Sequence, residues 1–189
     1  MLATRAAEGD RARANELLVI AGYDFAAHCF KSDSVFAAGT NAEIVELWYP
    51  QAAREERSAI LADLEAFIGT GDAAKPVALP GCESAMRRLH DTGFRLGVAT
   101  NDSTGGAERT LRALGISQLF EAAYGYDAVA NPKPSPDTIY AFSDLTGLRP
   151  SQIAMVGDNR HDLVMAKAGG AGLAVGVLSG TGTRERLMP

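Results

Sequence analysis

The stretch IAMVGDNRHD, residues 153–162, decides the fold. Ile153, Ala154, Met155 and Val156 make a short apolar run of the kind buried in a parallel sheet. Gly157 gives a sharp exit at the carboxyl end of that strand. Asp158 follows at once, and Asp162 comes four residues later, in the first turn of the helical pattern LVMAKAGGAG. Strand, glycine turn and helix together bring two carboxylates to the mouth of a sheet, beside amides at a helix start. A hard divalent cation such as Mg²⁺ takes oxygen ligands of this type and completes its shell with water and a phosphate oxygen. Alternatively, Asp158 does no more than cap the helix.

Outward from this stretch the second half of the chain has a βα rhythm. Helices are predicted over 82–91, 104–114, 136–145 and 163–168. Strands are predicted over 94–99, 153–156 and 173–177, with 119–123 leading into another short one. The tail from Ser179 reads as a surface loop or a frayed turn. The strand LGVAT ends at Thr100, where an open parallel sheet binds ligands. The Thr100 hydroxyl and the Asn101 amide can hold one phosphoryl oxygen, although a threonine in such a place also serves as a plain cap. Asp102 and Ser103 read as the start of the next helix. Lys133 lies between two prolines, which restrict the backbone on both sides and suit a lysine that neutralises phosphoryl charge, although a solvated lysine in a proline-rich loop reads the same way. Asp137 reads as the cap of the helix beyond.

The front half reads as helical. Good helix formers run over 2–21, and Gly22 stops them. Residues 24–39 suggest a short helix followed by a loop. Thr40 and Glu43 form a capping-box pair at the head of a helix over 40–48. Over 51–69, Ala53, Ile60, Leu61, Leu64, Phe67 and Ile68 make an apolar stripe at three- and four-residue spacing. Glycines and prolines over 70–80 mark a boundary. The expected division is a helical cap region over 1–75 and an α/β core over 76–189; the alternative is one domain with helices at one end.

Three segments then resemble the motifs of one family. LGVATN, residues 96–101, is similar to the second motif of the haloacid dehalogenase-like hydrolases, NPKPSPD, residues 131–137, to the third, and GDNRHD, residues 157–162, to the fourth. Their order and spacing fit as well. The resemblance implies a Rossmann-like parallel sheet core with a small all-helical cap. It implies Thr100 and Lys133 as catalytic residues, and Thr100, Asn101 and Lys133 as phosphate-binding residues. Asp158 would be a direct Mg²⁺ ligand, and Asp162 a second ligand or the holder of a metal-bound water. The acidic pair resembles the Mg²⁺-dependent phosphatases rather than the metal-free dehalogenases. A helical cap resembles the phosphoglycolate phosphatase-like branch, which implies a small phosphorylated metabolite, of phosphoglycolate or phosphosugar type, as substrate.

One family feature is missing from these residues. Members begin with an apolar strand ending in DxDGT, which supplies the aspartate nucleophile and the general acid. Before the boundary the aspartates are Asp10, Asp24, Asp33 and Asp63, and none has another aspartate two residues on. Asp33 is the nearest candidate and a poor one. Without this first core strand, the strands ending at Thr100 and Val156 lose a shared hydrogen-bonding neighbour. Three explanations stand side by side. The true start lies upstream, or the chain binds without catalysis as an inactive or regulatory member, or another segment, from this chain or a partner subunit, fills the slot.

The totals exclude several classes. With 189 residues, 47% hydrophobic and 22% charged, the chain suits one core with at most a small addition. A net charge of −5 gives no sign of a nucleic-acid surface. Two cysteines, Cys29 and Cys82, make neither a disulfide framework nor a metal cluster. No apolar run reaches the roughly 18 residues of a membrane span, and the basic start lacks a signal-peptide segment. The expectation is a cytoplasmic monomer or homodimer that uses Mg²⁺.

Overall fold

The computed structural model describes residues 2–32, 34–69 and 76–188. Asp33, part of the boundary (70–75) and both terminal residues lie outside the described residues. Contacts divide the chain into two compact units: residues 1–73 with 158–160 and 176–189, and residues 74–157 with 161–175.

The first unit opens with α1 (Leu2–Ala6) and α2 (Arg11–Ile20). Asp10 caps α2, its carboxylate accepting the Ala12 and Arg13 N–H groups at 2.8 and 3.1 Å. Where a short helix is predicted, the chain instead makes a hairpin of β1 (Tyr23–Asp24) and β2 (Cys29–Phe30), paired antiparallel. Two local features explain it. The Asp24 carboxylate accepts the Ala26 and Ala27 N–H groups, which closes an Asx turn, and His28 takes a left-handed φ of 53°. Aromatic packing then fastens the hairpin to α3 (Val35–Ala38), with Phe30 stacked on Phe36 at 4.3 Å between centroids.

Next come α4 (Asn41–Trp48) and α5 (Arg54–Gly69). Thr40 and Glu43 form the expected capping box, with reciprocal bonds of 2.7 and 3.1 Å. The core of this unit gathers Leu17, Ala21, Ile44, Val45, Trp48 and Leu64, with Ile60 and Leu61 packed against them. Trp48 is buried, and its indole N–H donates to the Leu17 carbonyl at 3.0 Å, so its one polar atom is satisfied.

The second unit starts with α6 (Cys82–Asp91), β3 (Gly97–Ala99) and α7 (Thr104–Ala113), the last capped by Ser103 as expected. A short 3₁₀ turn leads to β4 (Ala122–Tyr124), which pairs parallel to β3 with Val98 opposite Ala123. Then follow α8 (Asp137–Thr146), β5 (Ala154–Gly157), α9 (Arg160–Ala168) and β6 (Leu173–Gly176). β5 pairs with β6, and among the described residues no ladder joins this pair to β3 and β4. Ala99 of β3 and Met155 of β5 nevertheless pack on one cluster around Ile139, Ile153 and Met165. Val156 and Leu173 are more than half exposed. The tail carries a further short helix, α10 (Arg184–Leu187), anchored by buried Leu187, where a loop is predicted. No helix among the described residues is long and apolar enough to cross a membrane.

Leu17 is 1% exposed in the core of the first unit. Leu17→Ala should cost about 3 kcal/mol in urea unfolding, by lost burial and the cavity left behind.

Candidate functional site

Strand β3 determines where the site lies. The Thr100 N–H donates to the Tyr124 carbonyl at 2.9 Å, and the Leu96 carbonyl accepts the Glu121 N–H at 2.8 Å. In a parallel pair the backbone groups of alternate residues point to opposite edges, so Leu96, Val98 and Thr100 face β4, while Gly97 and Ala99 face the other edge. On that edge the Lys133 ammonium donates to the Ala99 carbonyl at 3.0 Å. It also donates to Asp162 Oδ1 at 2.7 Å.

Asp162 is 3% exposed in the first turn of α9. Its carboxylate lies against Gly157, where a Cβ would collide with it, so the glycine after Val156 is needed for room as well as for the turn. Lys133 and Asp162 side chains are 12% and 5% exposed, which makes this a nearly buried ion pair.

The loop carrying Lys133 is fixed from within. The Asp137 carboxylate accepts the Asn131 N–H at 2.9 Å, the Asn131 side-chain amide at 3.1 Å and the Ser135 hydroxyl at 2.6 Å. The Ser135 bond first, then the Asn131 amide, holds this carboxyl below the usual carboxylate range. Asp137 therefore braces the loop, and no side-chain cap forms at α8, where Pro136 occupies the cap position. The Asn101 side-chain amide adds a bond to the Lys133 carbonyl at 3.3 Å. Thr100 Oγ1 accepts the Asp102 N–H at 3.1 Å, which orients the hydroxyl. Thus Thr100, Asn101, Lys133 and Asp162 come together in the second unit.

Asp158 belongs by its contacts to the first unit. Its Oδ2 accepts the Thr181 N–H at 2.9 Å, with the Thr181 hydroxyl at 3.5 Å. Beside it Asn159 is buried and donates from its side-chain amide to the Ser32 carbonyl at 3.1 Å. Sequence reasoning assigns Asn159 no chemistry and Thr181 to a loose tail. The one available signal is the SGTG segment, 179–182, whose two glycines allow close backbone approach. The front aspartates have local duties: Asp10 caps α2, Asp24 closes the hairpin turn, and Asp63 pairs with Arg5.

Residues 40–175 match the family model for haloacid dehalogenase-like hydrolases. The chain belongs to that family. It is similar to a protein named probable phosphatase IndB from Dickeya dadantii, 36% identical over 60% of this chain and 49% of the relative. It is 33% identical to phosphoglycolate phosphatase from Salmonella typhimurium over 61% of this chain and 46% of that one. The chain therefore spans about half the length of these curated relatives. Among solved structures, the fold resembles a "predicted phosphoglycolate phosphatase" from Haemophilus somnus 129pt. The TM-score is 0.70 at 22% identity, covering 99% of this chain and 80% of the other. This structural likeness shows the haloacid dehalogenase-like fold.

Lys133→Met keeps the aliphatic stem and removes the ammonium, leaving the Asp162 carboxylate buried without its cation. The expected loss in urea unfolding is about 3–5 kcal/mol, the cost of breaking a buried pair from one side. A loss below about 1 kcal/mol would instead mark the pair as a screened surface contact.

Proposed function

We propose that this chain carries the phosphate- and metal-binding framework of a phosphatase acting on a small phosphorylated metabolite, of phosphoglycolate or phosphosugar type. One observation supports this most strongly: the Lys133 ammonium is fixed between the Ala99 carbonyl and Asp162, one residue before Thr100. Phosphoryl transfer is catalysed chiefly by positioning and by neutralising charge on the transferring group. A lysine held by two oxygens, a threonine hydroxyl and the Asn101 amide supply those functions at a strand end. Residues 1–75 are proposed as the cap that selects the substrate and 76–189 as the core, with a cytoplasmic setting and a monomeric or homodimeric state.

Asp158 and Asp162 are the proposed Mg²⁺ ligands, Asp162 directly or through a metal-bound water. The donor chemistry fits a hard cation, since both are carboxylates, and Thr181 engages Asp158 through Oδ2. Among the described residues no group of three or more histidines, cysteines and carboxylates could hold a metal. Mg²⁺ here would therefore keep several waters, as it commonly does. When bound, it would supply positive charge to the phosphoryl oxygens. Lys133 neutralises a further share of that charge, and Thr100 orients the group.

A second reading has its own support. Asp10, Asp24 and Asp63 are engaged in capping, a turn and a surface ion pair, so none of them is set up as a nucleophile. On that reading the 189-residue chain is a binding or regulatory protein without turnover. Calorimetric titration with Mg²⁺ and a phosphate-release assay with 2-phosphoglycolate test both. Asp158→Asn should weaken Mg²⁺ by at least about tenfold, a loss seen even for residues one step removed from a metal. Unchanged affinity would remove Asp158 from the site. Mg²⁺-dependent phosphate release supports the phosphatase, and binding without release supports the second reading.

A further inference from the structure

Asp158 is the end point of a closed set of bonds that joins three distant stretches of chain. The Thr181 N–H donates to Asp158 Oδ2 at 2.9 Å. The Thr181 carbonyl accepts the Ser32 hydroxyl, and the Ser32 carbonyl accepts the Asn159 side-chain amide at 3.1 Å. Asn159 is the residue after Asp158, so the set closes on itself. All of its members belong to the first unit.

The glycines that flank Thr181 make this approach possible. A Cβ on Gly180 would fall inside the Asp158 carboxylate, and one on Gly182 would collide with the Asp158 carbonyl oxygen. The segment thus wraps both the side chain and the backbone of Asp158 with its own main chain. Ser32 is positioned in turn by the hairpin, where the Lys31 N–H donates to the Gly22 carbonyl at 3.0 Å.

We infer that Ser32, Asn159 and the Gly180–Thr181–Gly182 segment are positioning residues that fix the rotamer of Asp158 for a divalent cation. This rests on the proposed ligand role of Asp158. The Thr181 amide holds Oδ2 and leaves Oδ1 for the metal. A carboxylate already held in place loses less side-chain freedom when the cation arrives, and outer partners of this kind tune metal affinity strongly. The contact between Ser32 and Thr181 also makes metal affinity depend on residues next to the hairpin, a stretch far from the motif in sequence.

The test uses the full chain and Mn²⁺ as probe, with free Mn²⁺ read by electron paramagnetic resonance. Ser32→Ala removes the hydroxyl donor and should weaken Mn²⁺ roughly fivefold to tenfold, and Gly180→Ala should weaken it by at least that much. Parent-like affinity in both Ser32→Ala and Gly180→Ala overturns the inference. Amide hydrogen exchange of Thr181 gives a readout independent of metal. Exchange should be about tenfold faster in Ser32→Ala and Asp158→Ala, because the opened segment loses its acceptor or its anchor. Unchanged exchange in both variants overturns the positioning set whatever the metal data show. If Asp158→Asn binds Mn²⁺ like the parent while exchange accelerates as stated, the ligand role of Asp158 fails and the bond set stands as a structural latch.

Discussion

The structure of the second unit depends on one ammonium group. Lys133 reaches from a loop between β4 and α8 to the carbonyl of Ala99 and the carboxylate of Asp162. It ties the end of β3 to the first turn of α9, the helix that follows β5, and among the described residues no ladder joins β3 to β5. An ion pair this little exposed gains Coulomb energy at the cost of desolvating both charges, and the balance is rarely large in favour of stability. Its value is better understood as positional. The same bonds that satisfy the lysine also place a fixed positive charge beside Thr100.

Backbone geometry decides which oxygen the lysine can use. Leu96 and Thr100 are bonded towards β4, so the Ala99 carbonyl points to the opposite edge, where an unpaired group is costly if it stays dry. Lys133 satisfies it. The loop that delivers the lysine is in turn held by Asp137 through three hydrogen bonds to Asn131 and Ser135. A strand edge, a braced loop and a buried carboxylate thus form one polar network, in which each member restricts the others.

Much of this was legible in the sequence because its signals are local. A four-residue apolar run, a glycine and two spaced aspartates need only strand and helix geometry to be read, and Ser103 and the Thr40–Glu43 box are visible as caps. The hairpin at 23–30 was not legible, because two-residue strands are too short to show alternation and the stacking of Phe30 on Phe36 that fastens it is a tertiary contact. Asp137 stands at a helix start, so it reads as a cap until the loop folds back and offers it better donors. The contacts between Ser32 and Asn159 and between Ser32 and Thr181 span 127 and 149 positions, and no periodicity encodes pairings at that distance.

The central claim is that Thr100, Asn101 and Lys133 make a phosphate site at the end of β3. Its most direct test is a ³¹P NMR titration of 2-phosphoglycolate with the chain in the presence of Mg²⁺. Saturable movement or broadening of the phosphorus resonance is expected, and Thr100→Ala, which leaves the Lys133 bonds in place, should weaken it. A resonance that does not respond to the protein, or a response that Thr100→Ala leaves unaltered, would contradict the account.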